Sequence, residues 1–487
     1  MRQNSRAGAA VLAILAGVAG PQARAQTSTQ MRTQMSTQMS TPAPMSPAVC
    51  TAHRPSIGFN RWSENWGQLA DPCVVRQPGD DLKYIALGDS GSYLSLGAGL
   101  RERFEMSNTA AFGAGAAGPD NYLIQRANLH ADLRLGDYVQ VFGQLVDARA
   151  YHKDTLGPPD HDILDVEQFF AAVVVPHADG FFKARIGRQE MAFDLQRFIA
   201  ARDGPNVRQS FDGLWADWED GPWRWIGFAT HPVQNRSVET FDDLSNRQMV
   251  LNGLRVERQG LSPGDAVLYY SRYRRDGARF PNASGDERRD VFDARYSGKR
   301  GNLDWDAEGM LQRGSVGQKR IQAWALGSIA GYTFAAQPWT PRLGLQFDAA
   351  SGDRHAGDNT IGTFNPLFPN GYYFSLAGLT GYNNLVHLKP SLTLKPVKAL
   401  SVMGALGLQW RATVADAVYA QGSAAVPRTA GAGSRWTGAY VQLRADWSID
   451  PNLTAAVEAV HFQVGPSLRA AGGSNADYLG VELKFGW

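Results

Sequence analysis

The last ten residues, Tyr478 to Trp487, alternate without a break. Leu479, Val481, Leu483, Phe485 and Trp487 fall on one face of an extended chain; Tyr478, Gly480, Glu482, Lys484 and Gly486 fall on the other. Strand side chains repeat every two residues, so this segment has one apolar and one wet face. A soluble domain seldom finishes on an aromatic at the end of such a pattern. Barrels of the bacterial outer membrane commonly do, with the apolar face toward lipid and the polar face toward water.

The same rhythm recurs from Tyr93 onward. In Asn302 to Gln312, Leu303, Trp305, Ala307, Gly309 and Leu311 oppose Asp304, Asp306, Glu308, Met310 and Gln312. In Leu123 to Leu135, Leu123, Ala127, Leu129, Ala131 and Leu133 oppose Arg126, Asn128, His130, Asp132 and Arg134. Candidate strands begin near residues 93, 122, 138, 165, 181, 211, 223, 248, 264, 289, 302, 319, 341, 384, 400, 436, 453 and 477. Eighteen is an even number, as single-chain bacterial barrels require, and the mean spacing of roughly 22 residues suits the class. Two segments, 181–190 and 211–218, fit either phase, and Glu102 falls on the apolar face of the first strand. The expected fold is all-β: one closed transmembrane antiparallel barrel of about 18 strands.

Connections should alternate between tight periplasmic turns, such as Leu135-Gly136-Asp137-Tyr138, and longer outer excursions. The longest excursion, Ser351 to Asn383, is long enough to form a lid or constriction.

The N-terminus supplies an address. Arg2 and Arg6 precede an apolar stretch, Ala7 to Gly20, and Ala23-Arg24-Ala25 follows it. That is the pattern of a secretory signal over residues 1–25, cleaved before Gln26; an uncleaved anchor is the alternative. The stretch is shorter than the about 18 apolar residues of a membrane helix. Residues 26–47 are a Thr/Ser/Gln/Met/Pro near-repeat that cannot bury a core and is expected to be disordered. Residues 48–90, with Trp62, Trp66 and several prolines, read as an irregular periplasmic lead-in, and 91–487 as the barrel. Export makes a Cys50–Cys73 disulfide possible, two free thiols being the alternative.

An eighteen-strand barrel is too wide for side chains to fill, so it encloses an aqueous channel. The wet faces offer Arg101, Arg103, Arg126, Arg134, Lys389 and Arg444 as lining cations, with acids such as Glu105, Asp306 and Glu482 in similar number. Alternation therefore gives a charged, wet pore but not its selectivity. The formal net charge of +2 implies no polyanion partner by itself, and no basic–aromatic cluster points to nucleic acid. No cofactor or metal set emerges.

Three motifs are decoys. Gly88-Asp89-Ser90-Gly91-Ser92 resembles a serine-protease nucleophile segment, but no supporting histidine and aspartate motif accompanies it. Gly113-Ala114-Gly115-Ala116-Ala117-Gly118 matches a dinucleotide-binding glycine pattern with no helix after it. The acids of Asp304-Trp305-Asp306-Ala307-Glu308 would line up along a lumen wall rather than converge on a metal.

Several stretches together resemble the alginate export family over roughly residues 60–487. They are Tyr84-Ile85-Ala86-Leu87-Gly88-Asp89, Tyr93-Leu94-Ser95-Leu96-Gly97, Leu100-Arg101-Glu102-Arg103-Phe104-Glu105, Arg185-Ile186-Gly187-Arg188-Gln189-Glu190, Arg202-Asp203-Gly204-Pro205-Asn206-Val207-Arg208-Gln209-Ser210-Phe211-Asp212-Gly213 and Gly362-Thr363-Phe364-Asn365-Pro366-Leu367-Phe368-Pro369. The resemblance implies a monomeric eighteen-strand barrel with an arginine-rich constriction passing an anionic polysaccharide. It adds Arg185, Arg188, Arg202 and Arg208 to Arg101 and Arg103 as constriction or lumen residues, with Glu190 and Asp203 as their partners.

The expected function is a passive outer-membrane channel for an anionic polysaccharide or its fragments, not an enzyme. Expected partners are outer-membrane lipid and lipopolysaccharide, the saccharide cargo and periplasmic export machinery. Competing readings are an uptake porin for small anionic or aromatic solutes, and a surface-binding barrel whose long loops do the work.

Overall fold

The computed structural model describes residues 52–88, 91–114 and 118–487. The candidate signal (1–25), the 26–47 tract and Cys50 lie outside these residues, as do Asp89, Ser90 and 115–117 of the decoy motifs.

Eighteen long strands form the wall. In chain order they are β1 (Tyr93–Ser107), β2 (Asp120–Leu135), β3 (Val139–Tyr151), β4 (Asp162–His177), β5 (Gly180–Glu190), β6 (Ser210–Asp220), β7 (Trp223–Gln234), β8 (Met249–Leu261) and β9 (Gly264–Phe280). They continue with β10 (Ala283–Arg300), β11 (Leu303–Val316), β12 (Lys319–Thr333), β13 (Arg342–Ala350), β14 (Leu385–Val397), β15 (Leu400–Arg411), β16 (Trp436–Ser448), β17 (Leu453–Val464) and β18 (Ala476–Gly486). Each pairs antiparallel with the next, and β1 pairs with β18 in a register that sets Arg101 opposite Lys484 and Arg103 opposite Glu482. The ring is closed, so no strand edge is left to seek a partner.

Every expected strand start except one falls within three residues of the observed start. The exception is β10, expected near 289 and beginning at Ala283. Its first residues are polar on both faces, so no apolar alternation announces them.

Alternation sorts the two faces as expected. On β1, Leu100, Phe104 and Met106 are exposed outward while Arg101, Arg103 and Glu105 are buried inward. Leu129, Phe169, Ile186, Leu268, Leu311 and Leu443 continue an apolar exterior round the ring. A soluble monomer does not expose a continuous band of that kind; lipid covers it. Glu102 does face outward, where it accepts a hydrogen bond from the Gln125 amide on β2.

Trp487 departs from the expected lipid face. It lies just past β18, and its ring packs under the Lys83 ammonium at 4.6 Å. Short turns such as Gly136 (φ 57°) mark the end where the lead-in and the C-terminus meet, the periplasmic end. The opposite end carries the long connections, with two exceptions. Pro281-Asn282 joins β9 to β10 and Gly317-Gln318 joins β11 to β12, so these two outer links are as tight as periplasmic turns.

The lumen is drier than alternation implies. Connections 191–209 and 351–384 fold inward, and Phe193, Phe198, Ile199, Phe364, Phe368 and Phe374 pack on the inner face of the wall. The wall answers with Phe211, Trp215, Phe228, Leu251, Tyr269 and Met310. This corrects the expectation of a wet inner face throughout: from β6 to β12 much of it is the apolar seat of two loops. It also explains why 211–218 fits either phase, since both of its faces carry apolar residues, one for lipid and one for a loop; the inner face of 181–190 instead carries Lys183, Arg185 and Gln189 beside Phe181.

Candidate functional site

Connection 191–209, between β5 and β6, is a strap across the barrel. Met191, Phe193, Phe198 and Ile199 are too apolar for an exposed loop, and burying them draws the chain inward. Asp194, Gln196 and Arg202 turn it with positive φ of 53°, 58° and 55°.

Charge fixes both ends. At the far wall the Arg255 guanidinium on β8 forks onto the Asp194 carboxylate at 2.5 and 2.8 Å, and Arg295 on β10 lies 2.8 Å from it. Arg197 of the strap reaches Asp306 and Glu308 on β11, both at 2.7 Å, and donates to the Tyr373 hydroxyl at 2.6 Å. At the near wall Arg101 on β1 donates to the carbonyls of Asp203, Gly204 and Pro205 at 3.1, 2.9 and 3.0 Å. Arg126 on β2 and Lys484 on β18 reach the Asp203 carboxylate, Lys484 at 3.0 Å. In a ring of eighteen, β1, β2 and β18 stand opposite β8, β10 and β11, so the strap spans the lumen from side to side.

Burial alone would push the Asp203 carboxyl up. Lys484, Arg126, Arg208 and Arg101 together hold it well below the usual carboxylate range, so it stays ionised.

The near wall continues into a second knot. Arg101 and Arg103 share Glu482, at 2.6 and 3.2 Å, and Arg103 also reaches Glu105 at 2.6 Å and Glu458 at 2.7 Å. The Tyr372 ring, from connection 351–384, lies over the Arg103 guanidinium at 5.3 Å. Arg208 lies 2.8 Å from Glu190, close but not aligned for a hydrogen bond. The structure thus gathers Arg101, Arg103, Arg126, Arg208, Asp203 and Glu190 around the near end of the strap, with acids offsetting most of their charge.

The other candidates lie elsewhere. Arg134 donates to Asp132 and to the carbonyls of Trp62 and Glu64, which ties the lead-in to the wall. Arg185 is held between aromatic faces, Trp62 at 4.4 Å and Trp215 at 4.8 Å, with no carboxylate partner among the described residues. Lys183 also lies over Trp62, at 5.0 Å, and donates to Gln140. Arg202 rests on the Phe368 ring and touches Gln209, and Lys389 donates to the Phe374 carbonyl; neither forms an ion pair among the described residues. Arg444 pairs with Asp446 and Glu458. Arg188 pairs with Asp212 at 2.9 Å.

Asp162, Asp165 and Asp243 bring carboxylate oxygens within 4.8 Å of one another, the one such grouping among the described residues that could hold a metal ion. Arg188 stands 3.7 Å from Asp165 and supplies some of the missing positive charge. The acids of 304–308 form no such group: Asp304 is taken by Arg342, Asp306 by Arg197 and Arg295, and Glu308 by Arg197.

Sequence reasoning missed Asp194, Arg197, Arg255 and Tyr372. The available signal was the apolar content of 191–199, which no solvent-exposed loop would tolerate.

An apolar exterior, a closed eighteen-strand wall and a charged, strapped lumen define a channel of the bacterial outer membrane. The chain belongs to the alginate export family, whose sequence profile matches residues 92–482. No curated protein matches it significantly in sequence. Among solved structures, it is similar to Pseudomonas aeruginosa OccK2 in complex with glucuronate, with 10% identity and a TM-score of 0.53 over 81% of this chain and 96% of that one. Pseudomonas aeruginosa OccK9 gives 12% identity and 0.55 over 81% and 98%, and Acinetobacter baumannii OccAB1 gives 11% and 0.55 over 81% and 96%. At such identities the likeness is one of fold.

Proposed function

We propose that this barrel is a passive channel for an alginate-like anionic polysaccharide or its fragments, guided by lumen cations. The observation that carries the reading is a group of lumen cations that form no ion pair among the described residues: Arg185, Lys183, Arg202 and Lys389. Arg101 and Arg126 hold the strap in place and Arg103 is taken up by Glu105, Glu458 and Glu482, while these four leave net positive charge for a passing carboxylate. Family membership supports the same cargo class. The barrel carries no energy source, so transport follows the gradient, with export machinery delivering polymer at the periplasmic mouth.

Planar-bilayer recording tests this. The expected result is a conductance with anion preference that polyuronate blocks and that loses preference when Arg185 and Arg202 become glutamine. Cation preference in the unaltered protein would overturn the proposal.

The second reading is uptake of small acids. Strap and lead-in together narrow the lumen, which suits small solutes, and the similar OccK2 holds glucuronate, a single uronate unit. Block by monomeric uronates with no effect of polyuronate would favour it.

A further inference from the structure

The outer face of β9 to β12 carries a charge pattern that the channel does not use. Three rows of directly opposed, outward-pointing residues cross these strands. The lowest is Tyr270, Phe292, Leu311 and Trp324; the next is Arg272, Asp290, Arg313 and Gln322; the highest is Arg274, Arg288, Ser315 and Arg320. Rows are roughly 7 Å apart along the strand. The aromatic row, with Tyr270 and Phe292 at 5.3 Å, belongs to the upper girdle where acyl chains end. The arginine rows begin one step beyond it, at headgroup level.

Five arginines there face one acid. Asp290 is already occupied by Arg272 at 2.8 Å and by the Tyr270 hydroxyl at 2.6 Å. Arg274, Arg288, Arg313 and Arg320 are exposed and have no ion-pair partner among the described residues. Arg274 stands directly opposite Arg288, and like charges so placed repel unless an anion lies between them. On β3, by contrast, the outward-facing Arg149 forks onto Asp147 at 2.7 Å through both contacts. Pro281-Asn282 and Gly317-Gln318 are the tightest outer links of the barrel and leave Arg274, Arg288 and Arg313 uncovered, while Thr360–Ile361 of connection 351–384 pairs beside Arg320 and Ile321 and bounds the patch on the β12 side.

We propose that this face binds the phosphate groups of a phosphorylated glycolipid of the outer leaflet, the lipid A portion of lipopolysaccharide. The acyl chains lie along Leu268, Phe292, Leu311 and Leu326, and the guanidinium pairs fork onto phosphate oxygens. Planar, always-charged guanidinium suits that geometry better than ammonium does.

The test uses the full-length protein in detergent, stripped of lipid. Native mass spectrometry and thermal unfolding are compared with added lipid A, with lipid A lacking its phosphates, and with phosphatidylethanolamine. Lipid A is expected to be retained and to raise the melting temperature, the other two much less. Arg274→Gln/Arg288→Gln should weaken retention about tenfold, the loss of roughly one charged hydrogen bond, with conductance unchanged as the control for folding. Equal retention of lipid A and its dephosphorylated form by the unaltered protein would overturn the proposal without any variant. So would undiminished retention by folded double variants at Arg274/Arg288 and at Arg313/Arg320.

Discussion

Arg208, in a strap that comes from the outer side, holds its guanidinium 4.2 Å from the ring centre of Phe59, in a lead-in that comes from the periplasmic side. Nearby, Trp62 of the same lead-in covers Arg185 and Lys183 and meets the Phe170 ring edge-on at 6.2 Å. The lead-in therefore caps the cations that a polyanion would use. Phe59→Ala with Trp62→Ala is expected to weaken its docking by about 2–5 kcal/mol, the scale of one exposed cation–π contact (Phe59 with Arg208) and two desolvated ones (Trp62 with Arg185 and Lys183). Single-channel conductance and anion preference should both rise. Unaltered conductance in the double variant would show that the ion path bypasses these residues.

The far end of the strap rests on Asp194. Arg255, 4% exposed, pairs bidentately with it, and Arg295 adds a second guanidinium. Replacing Asp194 by asparagine leaves two buried cations short of their anion, at a cost of about 3 kcal/mol. Glu257 and Asp306 keep partial hold of those arginines, so the barrel should survive while the strap loosens. Limited trypsin cleavage at Arg197 or Arg202 should become fast in Asp194→Asn and remain slow in the unaltered protein. Equal resistance would mean that the apolar seat alone fixes the strap.

The wall was legible in the sequence because lipid enforces alternation. A strand facing hydrocarbon shows apolar residues at nearly every second position, with Glu102 an exception that takes a hydrogen bond from Gln125, and Leu303 to Leu311 or Leu479 to Phe485 keep the rhythm throughout. What lies inside was less legible. Phe211 and Trp215 face the lumen and Leu214 and Trp218 face lipid, and no parity rule separates a loop seat from a lipid face. The arginines on β1 and β2 were found by phase and resemblance. Arg197 and Arg255 were not, because their meaning depends on a strap whose path is fixed by contacts between distant residues. Trp487 was misplaced for a related reason: alternation fixes direction within a strand and lapses one residue past its end.

Gly204 joins the two infolded connections. A Cβ there would run into the Tyr372 ring, and Tyr372 in turn covers Arg103. Gly204→Ala should push the ring off Arg103 and separate the strap from connection 351–384, raising conductance noise and protease sensitivity. Tyr372→Ala in the same chain removes the obstacle, so the double variant should recover the trypsin resistance of Tyr372→Ala alone. A double variant as labile as Gly204→Ala would place the strain in the backbone instead.

Lys83 makes lead-in docking depend on pH. Its ammonium is fully buried, lies between the rings of Trp66 at 5.1 Å and Trp487 at 4.6 Å, and has no hydrogen-bond acceptor in reach among the described residues. Burial, helped by Arg61 and Arg54 and opposed by Glu64 and Asp80, lowers its pKa from 10.5 to about 7. Below about pH 7 docked and undocked forms both carry the proton, and docking bears the full cost of burying a cation. As pH rises from about 7 toward 10.5, the docked form has already lost its proton while the undocked form still holds one, so docking strengthens across that window. The two indole faces favour the ammonium and soften the trend without reversing it. Protease access to residues 59–66 and channel conductance should therefore be higher at pH 6 than at pH 9 in the unaltered protein. Lys83→Met, which keeps the length and removes the charge, should flatten that difference; a pH response surviving in this variant would assign it to another group.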